Sequence, residues 1–395
     1  MAGSLKQWQN SVIRNGIMRY RENLQNYYIQ NKSVVETASG TAFSLLSPPL
    51  GSPAARRRVR RIMDDMTVAT NGGNSSPTMK WVGRTPHFVT IAVTYRCQCD
   101  CAHCSAYIYR RQVEQAHSQL STAEMKSVIQ DALALGSTCI ILTGGEPLLM
   151  KNIRELIEVV PRSEGIVTIF TNGECLSKPL VRELKDAGLF GVFVSLDYPD
   201  AERHDTNRKR PGLFEKAVSG IRLCQEAGIV TGISTFATRQ KIASGELDTM
   251  MEQARNLGVL ELFVFDLIAT GRLKDQKENM LGPSQVSALR EFRNRYNLKS
   301  SYPRIIHQTM FTSMTHPCAA EGCPGGTAQM HLRGNGDVTP CDFTPLSFGN
   351  IRQRSLREIW FDMCTSDIYS KPSAGCRLAD PAFQDRLMRS GAAVG

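Results

Sequence analysis

Short β-branched runs alternate with longer amphipathic segments from residue 88 to about residue 300. The runs that predict strands are FVTIAVT (88–94), TCIILT (138–143), IVTIFT (166–171), GVFVSL (191–196), IVTGIST (229–235) and LELFVFDLI (260–268). A segment with helical periodicity follows each run. Six β–α units in series predict parallel strands with right-handed crossovers. We therefore expect an α/β fold, a partial (β/α)6 TIM-like barrel, with a flat doubly wound sheet as the alternative.

Capping signals predict where the helices of these units begin and end. Ser121 lies three residues before Glu124, the spacing of a capping box, so a helix should begin there. The amphipathic segments KPLVRELKDAG and LFEKAVSGIRLCQEAG each end at a glycine, Gly188 and Gly228. Glycine at this position commonly ends a helix because it adopts the left-handed conformation easily.

Both ends of the chain lack this alternation, which predicts three parts: a basic, partly helical accessory segment (1–85), the barrel (86–305) and a small loop-rich domain (306–395). In the accessory segment, apolar residues follow one helix face. They are Ile13, Ile17, Tyr20, Leu24 and Tyr27. Residues 311–395 hold five cysteines and too little apolar periodicity for an independent core, so a metal should stabilise them.

Composition and charge narrow the class of protein. Of 395 residues, 42% are hydrophobic and 21% are charged, as in globular proteins with a sizeable core. The chain contains no apolar run of transmembrane length and no secretory signal, so we expect a cytoplasmic protein. In that reducing compartment, twelve cysteines are expected to bind metal or do chemistry instead of forming disulfides.

Most of the net charge of +10 lies in the first part of the chain. Residues 1–85 contain twelve Lys or Arg and four Asp or Glu, and RRRVRR (56–61) supplies five of these cations. This segment is either a solvated basic face or a docking surface for an acidic partner, nucleic acid or anionic lipid, the last at the membrane periphery.

Unusual motifs follow the predicted strands at their C-terminal ends, where parallel α/β folds build their active sites. They are the cysteine cluster after strand one, TGGEP (143–147), TNG (171–173), Ser195 with Asp197, Thr235, and TGR (270–272). Six such placements predict a single site at this end of the barrel.

The cysteine cluster has the spacing Cys97-x3-Cys101-x2-Cys104. Three thiolates on one loop can bind three irons of a four-iron cube and leave the fourth iron open. A closed zinc site is the alternative, because Cys99 or His103 could supply a fourth ligand. The spacing alone leaves both alternatives open.

The combination of motifs resembles the radical S-adenosylmethionine (SAM) enzymes. The family's cluster signature is similar to the spacing of Cys97, Cys101 and Cys104, and GGEP occupies the place of its SAM-amine loop. The segment 195–221 looks like its fourth strand and following helix, with a His-Asp-x-x-Arg pattern that ends at Arg208. The resemblance covers roughly residues 86–300 and favours iron over zinc. His103 departs from the aromatic residue that many members carry there.

This resemblance implies specific roles in binding SAM. The backbone of Gly144 and Gly145, with Glu146, would receive the SAM amino group; glycine permits close approach of a ligand. Ser195 and Asp197 would face the ribose, and Arg208 the carboxylate. The full set of expected cofactor-binding residues is Gly144, Gly145, Glu146, Pro147, Asn172, Ser195, Asp197, Arg208 and Thr235. Structural roles, such as helix capping or a surface ion pair, remain open for Ser195, Asp197 and Arg208.

The C-terminal cysteines resemble the SPASM and twitch extensions of radical SAM enzymes. The spacing from Cys323 to Gly336 and Cys341 and the following FGNIRQRSLREIW are similar to these domains. The resemblance implies one auxiliary 4Fe–4S cluster bound by Cys318, Cys323, Cys341 and Cys376. A zinc site is the alternative, and Cys364 could replace Cys376 as the fourth ligand.

The family resemblance implies reductive cleavage of SAM to methionine and a 5′-deoxyadenosyl radical that takes hydrogen from a substrate carbon. We expect a peptide or protein side chain as substrate; a small molecule or lipid is the alternative, with oxidation, epimerisation or carbon–carbon bond formation as outcomes.

A non-catalytic iron–sulfur electron carrier or scaffold is the alternative from another class. Flavodoxin or ferredoxin is the expected electron donor, and Cys175 is a weak candidate for a hydrogen donor.

Overall fold

The computed structural model describes residues 34–69, 78–81, 85–110, 118–308, 322–370, 373 and 375–389. The predicted helix from Ile13 to Tyr27 and the expected ligand Cys318 lie outside the described residues. Within the described residues, no helix is long and apolar enough to cross a membrane.

A ten-stranded sheet forms the centre of the fold. The strands are β1 (Val35–Thr37), β2 (Gly40–Ala42), β3 (Met66–Ala69), β4 (Thr78–Trp81), β5 (Phe88–Thr94), β6 (Cys139–Gly144), β7 (Ile166–Thr171), β8 (Gly191–Ser195), β9 (Val230–Ala237), β10 (Glu261–Asp266), β11 (Arg304–His307), β12 (Gln329–Leu332), β13 (Asp337–Thr339) and β14 (Gly349–Asn350). From one edge of the ten-stranded sheet to the other, the strand order is β11, β10, β9, β8, β7, β6, β5, β12, β13 and β14. β1 and β2 form a small antiparallel pair, as do β3 and β4.

The strands β5 to β11 follow one another in the sheet in chain order, and every neighbouring pair among them is parallel. A doubly wound sheet would reverse its strand order at a switch point, and this sheet does not. The predicted α/β fold with a partial barrel is confirmed. The six predicted strands are β5 to β10, each within two residues of its expected bounds.

Helices cover the outer face of the sheet. They are α1 (Pro53–Asp65), α2 (Thr122–Ala134), α3 (Ile153–Glu158), α4 (Lys178–Ala187), α5 (Ala201–Arg208), α6 (Leu213–Glu226), α7 (Arg239–Ala243), α8 (Glu246–Asn256), α9 (Pro283–Asn297), α10 (Leu356–Thr365) and α11 (Pro381–Arg389). The capping box predicted at Ser121 and Glu124 is present, and Gly188 ends α4 in the left-handed conformation. Alternate residues along the strands, such as Val89 and Ile91 of β5, pack against helices in the main core.

The inner face of the barrel has a second apolar core, to which the segment before the barrel contributes. Leu45 and Leu46 pack there with strand residues such as Phe193. The Thr168 hydroxyl donates a hydrogen bond to the Leu45 carbonyl at 2.7 Å, and the Leu45 N–H donates to Glu261 Oε2 at 2.8 Å. The chain from 42 to 46 is therefore an internal plug of the barrel, which local sequence pattern did not indicate.

The basic run RRRVRR lies on α1, and part of it binds the protein itself. Arg58 is buried and donates to the carbonyl of Leu46 at 2.8 Å. Arg57 donates to the carbonyl of Glu164 at 3.0 Å and also contacts the carbonyl of Leu133. These two cations stabilise the plug and the loops at its end of the barrel, so the expectation of a wholly solvated or docking basic face is wrong for them.

The C-terminal part extends the same sheet. β12 pairs with β5 in parallel, and β13 and β14 continue from it in antiparallel pairs. Met330, Val338, Ile359 and Trp360 join the main core. Tyr369, Phe383 and Leu387 form a second, small cluster within this part. The expectation that it lacks any core of its own is therefore wrong for these residues. The sequence pattern did not reveal β11 or these three short strands.

Candidate active site

A single cavity of about 300 Å³ opens at the C-terminal ends of the barrel strands and brings both cysteine sets together. One part of its lining is Cys97, Cys101 and Cys104, and another is Cys323, Cys341 and Cys376. Between them lie the strand-end residues Thr143, Gly144, Gly145, Thr171, Asn172, Ser195, Asp197, Ser234 and Thr235. Five of the six predicted strand-end motifs reach this cavity. The sixth, TGR (270–272), is not in its lining, because Gly271 and Arg272 line a neighbouring groove.

Backbone hydrogen bonds hold the cysteine loop against its neighbours. The N–H of Asp100 donates to the carbonyl of Arg208, and the N–H of Ala102 donates to that of Asn207, both at 3.1 Å. Arg110 donates to the carbonyls of Cys97 and Cys99, each at 3.2 Å. The loop is thus fixed from both sides while its thiols line the cavity.

The glycines of GGEP allow two strands to approach closely. Gly144 has φ of 132°, and a Cβ on it would overlap the carbonyl oxygen of Thr94. A Cβ on Gly145 would overlap the carbonyl of Arg96, and its N–H donates to Thr94 at 2.7 Å. The backbone at both glycines lines the cavity. This close packing is a structural requirement for glycine in addition to any ligand contact.

The extra cysteine of the loop, Cys99, lies between two of the expected ligands. Its hydrogen bond lowers the pKa of Cys97 to about 6, although burial of Cys97 opposes this shift. The same kind of contact lowers the pKa of Cys101, again against burial. The Asn172 side-chain amide donates to Cys99 Sγ at 3.4 Å. Thiols with lowered pKa values are available as thiolates, the form that binds iron.

The donor set favours an iron cluster over a single zinc ion. Cys97, Cys101 and Cys104 supply three thiols from one loop, the donor type and number that a four-iron cluster with one open iron takes. In a cube each thiolate binds a different iron, so its ligands need no common centre. His103, the alternative zinc ligand, stacks on Phe236 at 4.4 Å, and its Nδ1 lies 3.1 Å from the Asn207 amide.

Glu146 is buried and hydrogen-bonded within the protein. Its Oε1 accepts hydrogen bonds from the Leu148 N–H at 3.0 Å and the Thr171 hydroxyl at 2.7 Å, and Oε2 accepts from the Asn172 N–H at 2.7 Å. Burial raises the pKa of Glu146 to about 7 against these hydrogen bonds. Its side chain is not among the described groups that line the cavity, nor is Pro147. Glu146 thereby joins the loops after β6 and β7, and its expected contact with the SAM amine stays a prediction.

Asp197 and Arg208 form a buried, bidentate ion pair. Arg208 Nε and Nη2 each donate to Asp197 at 2.8 Å, and the Asn207 amide donates at the same distance. Burial alone would raise the pKa of Asp197, but Arg208, together with His103, holds it well below its usual range. Both members line the cavity. Asp197, which we expect to face the ribose of SAM, is thus bound to Arg208, which we expect to face the carboxylate of SAM.

Three further expected SAM contacts lie at neighbouring strand ends. Ser195 Oγ is 3.2 Å from Ser234 Oγ, which joins β8 to β9. The Thr235 hydroxyl donates to the Asp197 carbonyl at 3.3 Å, and Asn172 Oδ1 accepts from the Glu174 N–H at 2.9 Å. Ser195, Thr235 and Asn172 all line the cavity, and each also makes a hydrogen bond that holds the strand ends and their loops together.

The second cysteine set faces the cavity from the C-terminal part of the chain. Burial, with the neighbouring Cys323, raises the pKa of Cys341 to about 12 and that of Cys376 well above its usual value. The N–H of Cys323 donates to the Ser373 carbonyl at 3.1 Å. Cys364 lies on α10, where its thiol donates to the Phe361 carbonyl at 3.4 Å, and it is not among the described residues of the cavity.

Cys175 is also absent from the described lining of the cavity. The Gln98 amide donates to its thiol at 3.7 Å, and the side chain packs against the main core. This position disagrees with its expected role as a hydrogen donor to a substrate radical.

The cavity contains polar residues that the sequence did not reveal. Asp266 ends β10 and lines the cavity, and Oδ1 of its carboxylate is 2.7 Å from Nε2 of His307. Gln308 also lines the cavity, and its buried Oε1 has no hydrogen-bond partner within the described part of the chain. The four-residue strand β11, too short for a recognisable period, places His307 and Gln308.

Aromatic side chains form an apolar wall of the cavity. Phe170 lies 5.6 Å from Phe263 edge to face, and Phe263 lies 4.5 Å from Phe265. Phe265 in turn contacts Phe343 of the C-terminal part at 6.1 Å. All four line the cavity, so a substrate held there would contact an apolar surface.

Comparisons with known proteins agree with this geometry. Residues 91–238 match the model of the radical SAM superfamily, and residues 323–377 match that of SPASM, an iron–sulfur cluster-binding domain. The chain therefore contains a radical SAM domain, and a SPASM domain follows it.

Several characterised proteins are similar over most of the chain. An AdoMet-dependent heme synthase of Methanosarcina barkeri is 29% identical over 325 residues, which are 74% of this chain and 91% of that one. A PqqA peptide cyclase of Rhizobium meliloti is 26% identical over 290 residues, covering 72% and 76%. The crystal structure of Streptococcus suis SuiB bound to precursor peptide SuiA has a TM-score of 0.56 and 15% identity, covers 80% and 69%, and shows the shared fold.

The domain composition assigns the cofactors. The radical SAM domain binds a 4Fe–4S cluster and SAM, and the SPASM domain binds an auxiliary iron–sulfur cluster. The thiol-rich, partly buried donor sets described above fit both groups.

Proposed function

We propose that this enzyme uses a 5′-deoxyadenosyl radical to oxidise a substrate held between two iron–sulfur clusters. Cys97, Cys101 and Cys104 bind the first cluster, which supplies reductive cleavage of SAM. Cys318, Cys323, Cys341 and Cys376 bind the auxiliary cluster, which supplies a one-electron acceptor. The observation that supports this most directly is that the described members of both sets line the same cavity.

Other residues of the chain position SAM and enclose the space in which the reaction takes place. The Asp197–Arg208 pair fixes the guanidinium at the cavity wall, where its positive charge suits the carboxylate of SAM. Glu146 holds the loops after β6 and β7 in register, so that backbone groups at Gly144 and Gly145 remain available to the SAM amine. The aromatic wall excludes water from the space in which a radical would react.

The proposed substrate is a peptide or protein side chain. A PqqA peptide cyclase is similar in sequence, and SuiB bound to its precursor peptide shares the fold. The lining also favours a substrate without free carboxylates. Among the described lining residues, Arg110 already binds loop carbonyls and Arg208 is assigned to the carboxylate of SAM, whereas Asp266 and Asp342 add negative charge. An apolar or cationic side chain fits this surface.

A tetrapyrrole is the second candidate, because the AdoMet-dependent heme synthase of Methanosarcina barkeri has the higher identity and coverage of the two relatives compared above. The apolar aromatic wall formed by Phe170, Phe263 and Phe265 would suit the apolar faces of a large ring system. The acidic residues of the cavity oppose the carboxylate groups that such rings often carry.

The catalytic proposal is tested by anaerobic reconstitution with iron and sulfide, followed by SAM and dithionite. We expect 5′-deoxyadenosine from the wild type, none from Cys101→Ala, and wild-type amounts from Cys364→Ala, whose thiol lies outside the cavity. Absence of 5′-deoxyadenosine from the wild type, or equal amounts from Cys101→Ala, would contradict the proposal and favour a non-catalytic iron–sulfur protein.

Mass spectrometry distinguishes the two substrate classes when the same reaction is run with one probe for each class. A mixed-sequence peptide library is expected to stimulate 5′-deoxyadenosine formation and to contain mass-shifted peptides. Fe-coproporphyrin III is expected to remain unchanged. The reverse result would replace the peptide by the tetrapyrrole as the substrate class.

A further inference from the structure

A second, open groove of about 670 Å³ lies beside the cysteine loop. Its lining is Ala102, Tyr107, Ile108, Lys209, Gly271, Arg272, Lys274, Asp275 and Gln276. The loop from Cys101 to Ile108 lines both spaces, since Cys104, Ser105 and Ala106 face the active-site cavity. The groove is therefore separated from the cluster-binding thiols only by the loop that carries them.

The wall of the groove is joined directly to this loop. The Arg272 N–H donates to the Cys104 carbonyl at 3.1 Å. Gly271 has φ of 59°, and a Cβ on it would overlap the carbonyls of Cys104 and Ser105. No side chain is interposed at this contact, so the path from the groove to a thiolate ligand is a few backbone bonds and one hydrogen bond.

The groove presents more positive than negative charge. Lys209, Arg272 and Lys274 line it together with Asp275. Asp100 binds both Lys209, at 3.2 Å, and Arg272, which fixes these two cations on the rim. The Lys209 side chain is 55% exposed, and Lys274 is exposed. Arg272 also stacks on Tyr107 at 3.8 Å, so the ring and the cation form one rigid surface.

We propose that this groove is the docking surface for an acidic one-electron carrier protein that reduces the radical SAM cluster. The inference rests on the proposed function, which consumes one electron for each SAM that is cleaved. Electron transfer between proteins weakens steeply with distance, and the groove offers the short route described above. Charge complementarity orients an acidic partner and speeds its encounter with a cationic surface.

A nucleic acid is a poorer occupant of this groove. Stacking of bases on aromatic rings is the usual means of holding a single strand. The face of Tyr107 is already covered by Arg272. An acidic segment of a peptide substrate is the remaining competitor, and it would bind without any effect on reduction.

The test compares two electron sources on the reconstituted holoenzyme. The variant Lys274→Glu/Gln276→Glu changes the charge of the groove without touching the Asp100 contacts or the cysteines. The control Arg222→Glu/Arg182→Gln makes the same charge change at exposed positions of α6 and α4. Each protein is assayed for 5′-deoxyadenosine with reduced flavodoxin, an acidic carrier, and with dithionite, and its affinity for flavodoxin is measured by calorimetry.

With flavodoxin at low ionic strength, we expect the groove variant to lose at least about tenfold in initial rate and in affinity, roughly the effect of removing interfacial charge complementarity. The control variant should stay within about twofold of the wild type, and both variants should match it with dithionite. Added salt should slow the wild type and affect the groove variant less.

Wild-type affinity and rate with flavodoxin in the groove variant would overturn the docking proposal, as would an equal loss in the control variant. Lys209→Gln, which removes charge from the opposite rim, gives an independent measure of the same effect. Failure of the proposed function is distinct, because the wild type would then give no 5′-deoxyadenosine with dithionite while flavodoxin binding could still be measured.

Discussion

Several residues expected to contact SAM also hold other parts of the site in place. Asp197 binds Arg208 through two hydrogen bonds of 2.8 Å, and Glu146 accepts three hydrogen bonds from its own loops. Breaking a buried ion pair by removal of one partner costs about 3–5 kcal/mol, so such groups are important for the geometry of the site even without ligand contacts. Their chemistry suits SAM, but their present partners are protein groups.

The contact between Gly271 and the cysteine loop can be tested by changing a single residue. In Gly271→Ala, the new Cβ would overlap the carbonyl oxygen of Cys104 and push the cysteine loop away. We expect the variant to lose the radical SAM cluster and to retain about four of about eight irons per chain, the content of two four-iron clusters. Iron analysis after anaerobic reconstitution measures this.

Gly212→Ala is the matched control for that change. Gly212 also has a positive φ, 75°, but a Cβ there would meet no atom within 4 Å. Both variants therefore carry the cost of a left-handed alanine, about 1 kcal/mol, and only Gly271→Ala disturbs the cysteine loop. Full iron content in Gly271→Ala would contradict the prediction, as would equal loss in both variants.

Which site residues could be predicted depends on the range of the interactions that place them. The spacing of Cys97, Cys101 and Cys104 is local, and Ser195 and Asp197 follow a strand that alternation reveals. Asp266 and His307 meet across 41 positions of the chain through a strand of four residues. Such a pairing depends on sheet register, which local periodicity does not determine.

At the scale of elements, the plug from 42 to 46 completes the barrel from outside the repeating β–α pattern. Leu45 and Leu46 fill the inner core, and Glu261 at the start of β10 accepts the Leu45 N–H. Arg304 of β11 lies 3.6 Å from the same carboxylate in a fully buried position. The strands themselves were predictable because β-branched runs and glycine-terminated helices are local signals, whereas the plug is held by contacts more than a hundred residues apart.

Glu261 makes the stability of this plug dependent on pH. Burial raises its pKa from 4.5 to about 7, against the opposing effects of Arg304 and the Leu45 N–H. Because the folded state binds this proton more tightly than the unfolded state, the contribution is fully present below about pH 4.5 and is lost as the pH rises through 7. The shift corresponds to up to about 3 kcal/mol.

Urea unfolding at pH 5 and pH 8 tests this contribution. Glu261→Gln cannot titrate, so its free energy of unfolding should fall less between the two pH values than that of the wild type, by up to about 3 kcal/mol. Glu215→Gln, at an exposed position of α6, should follow the wild type. Identical pH dependence in Glu261→Gln and the wild type would show that the buried carboxyl does not contribute.

At the scale of the whole molecule, one sheet joins the two matched domains. β12 pairs with β5, the strand that precedes the radical SAM cysteines, and Met330 and Trp360 belong to the main core. The C-terminal part therefore shares the main core and adds a small cluster of its own at Tyr369, Phe383 and Leu387. This arrangement places Cys341 and Cys376 on the same cavity as Cys101, which explains how two separate cysteine motifs could serve one substrate.

The central claim is that each cysteine set holds its own four-iron cluster at this shared cavity. Mössbauer spectroscopy of iron-57 protein, reconstituted without oxygen, tests it most directly. The wild type should hold about eight irons as two cubes, and Cys101→Ala and Cys341→Ala should each retain about four, in different cubes. Added SAM should alter one iron in the wild type and in Cys341→Ala, and none in Cys101→Ala. An unchanged iron content in either variant would contradict the account.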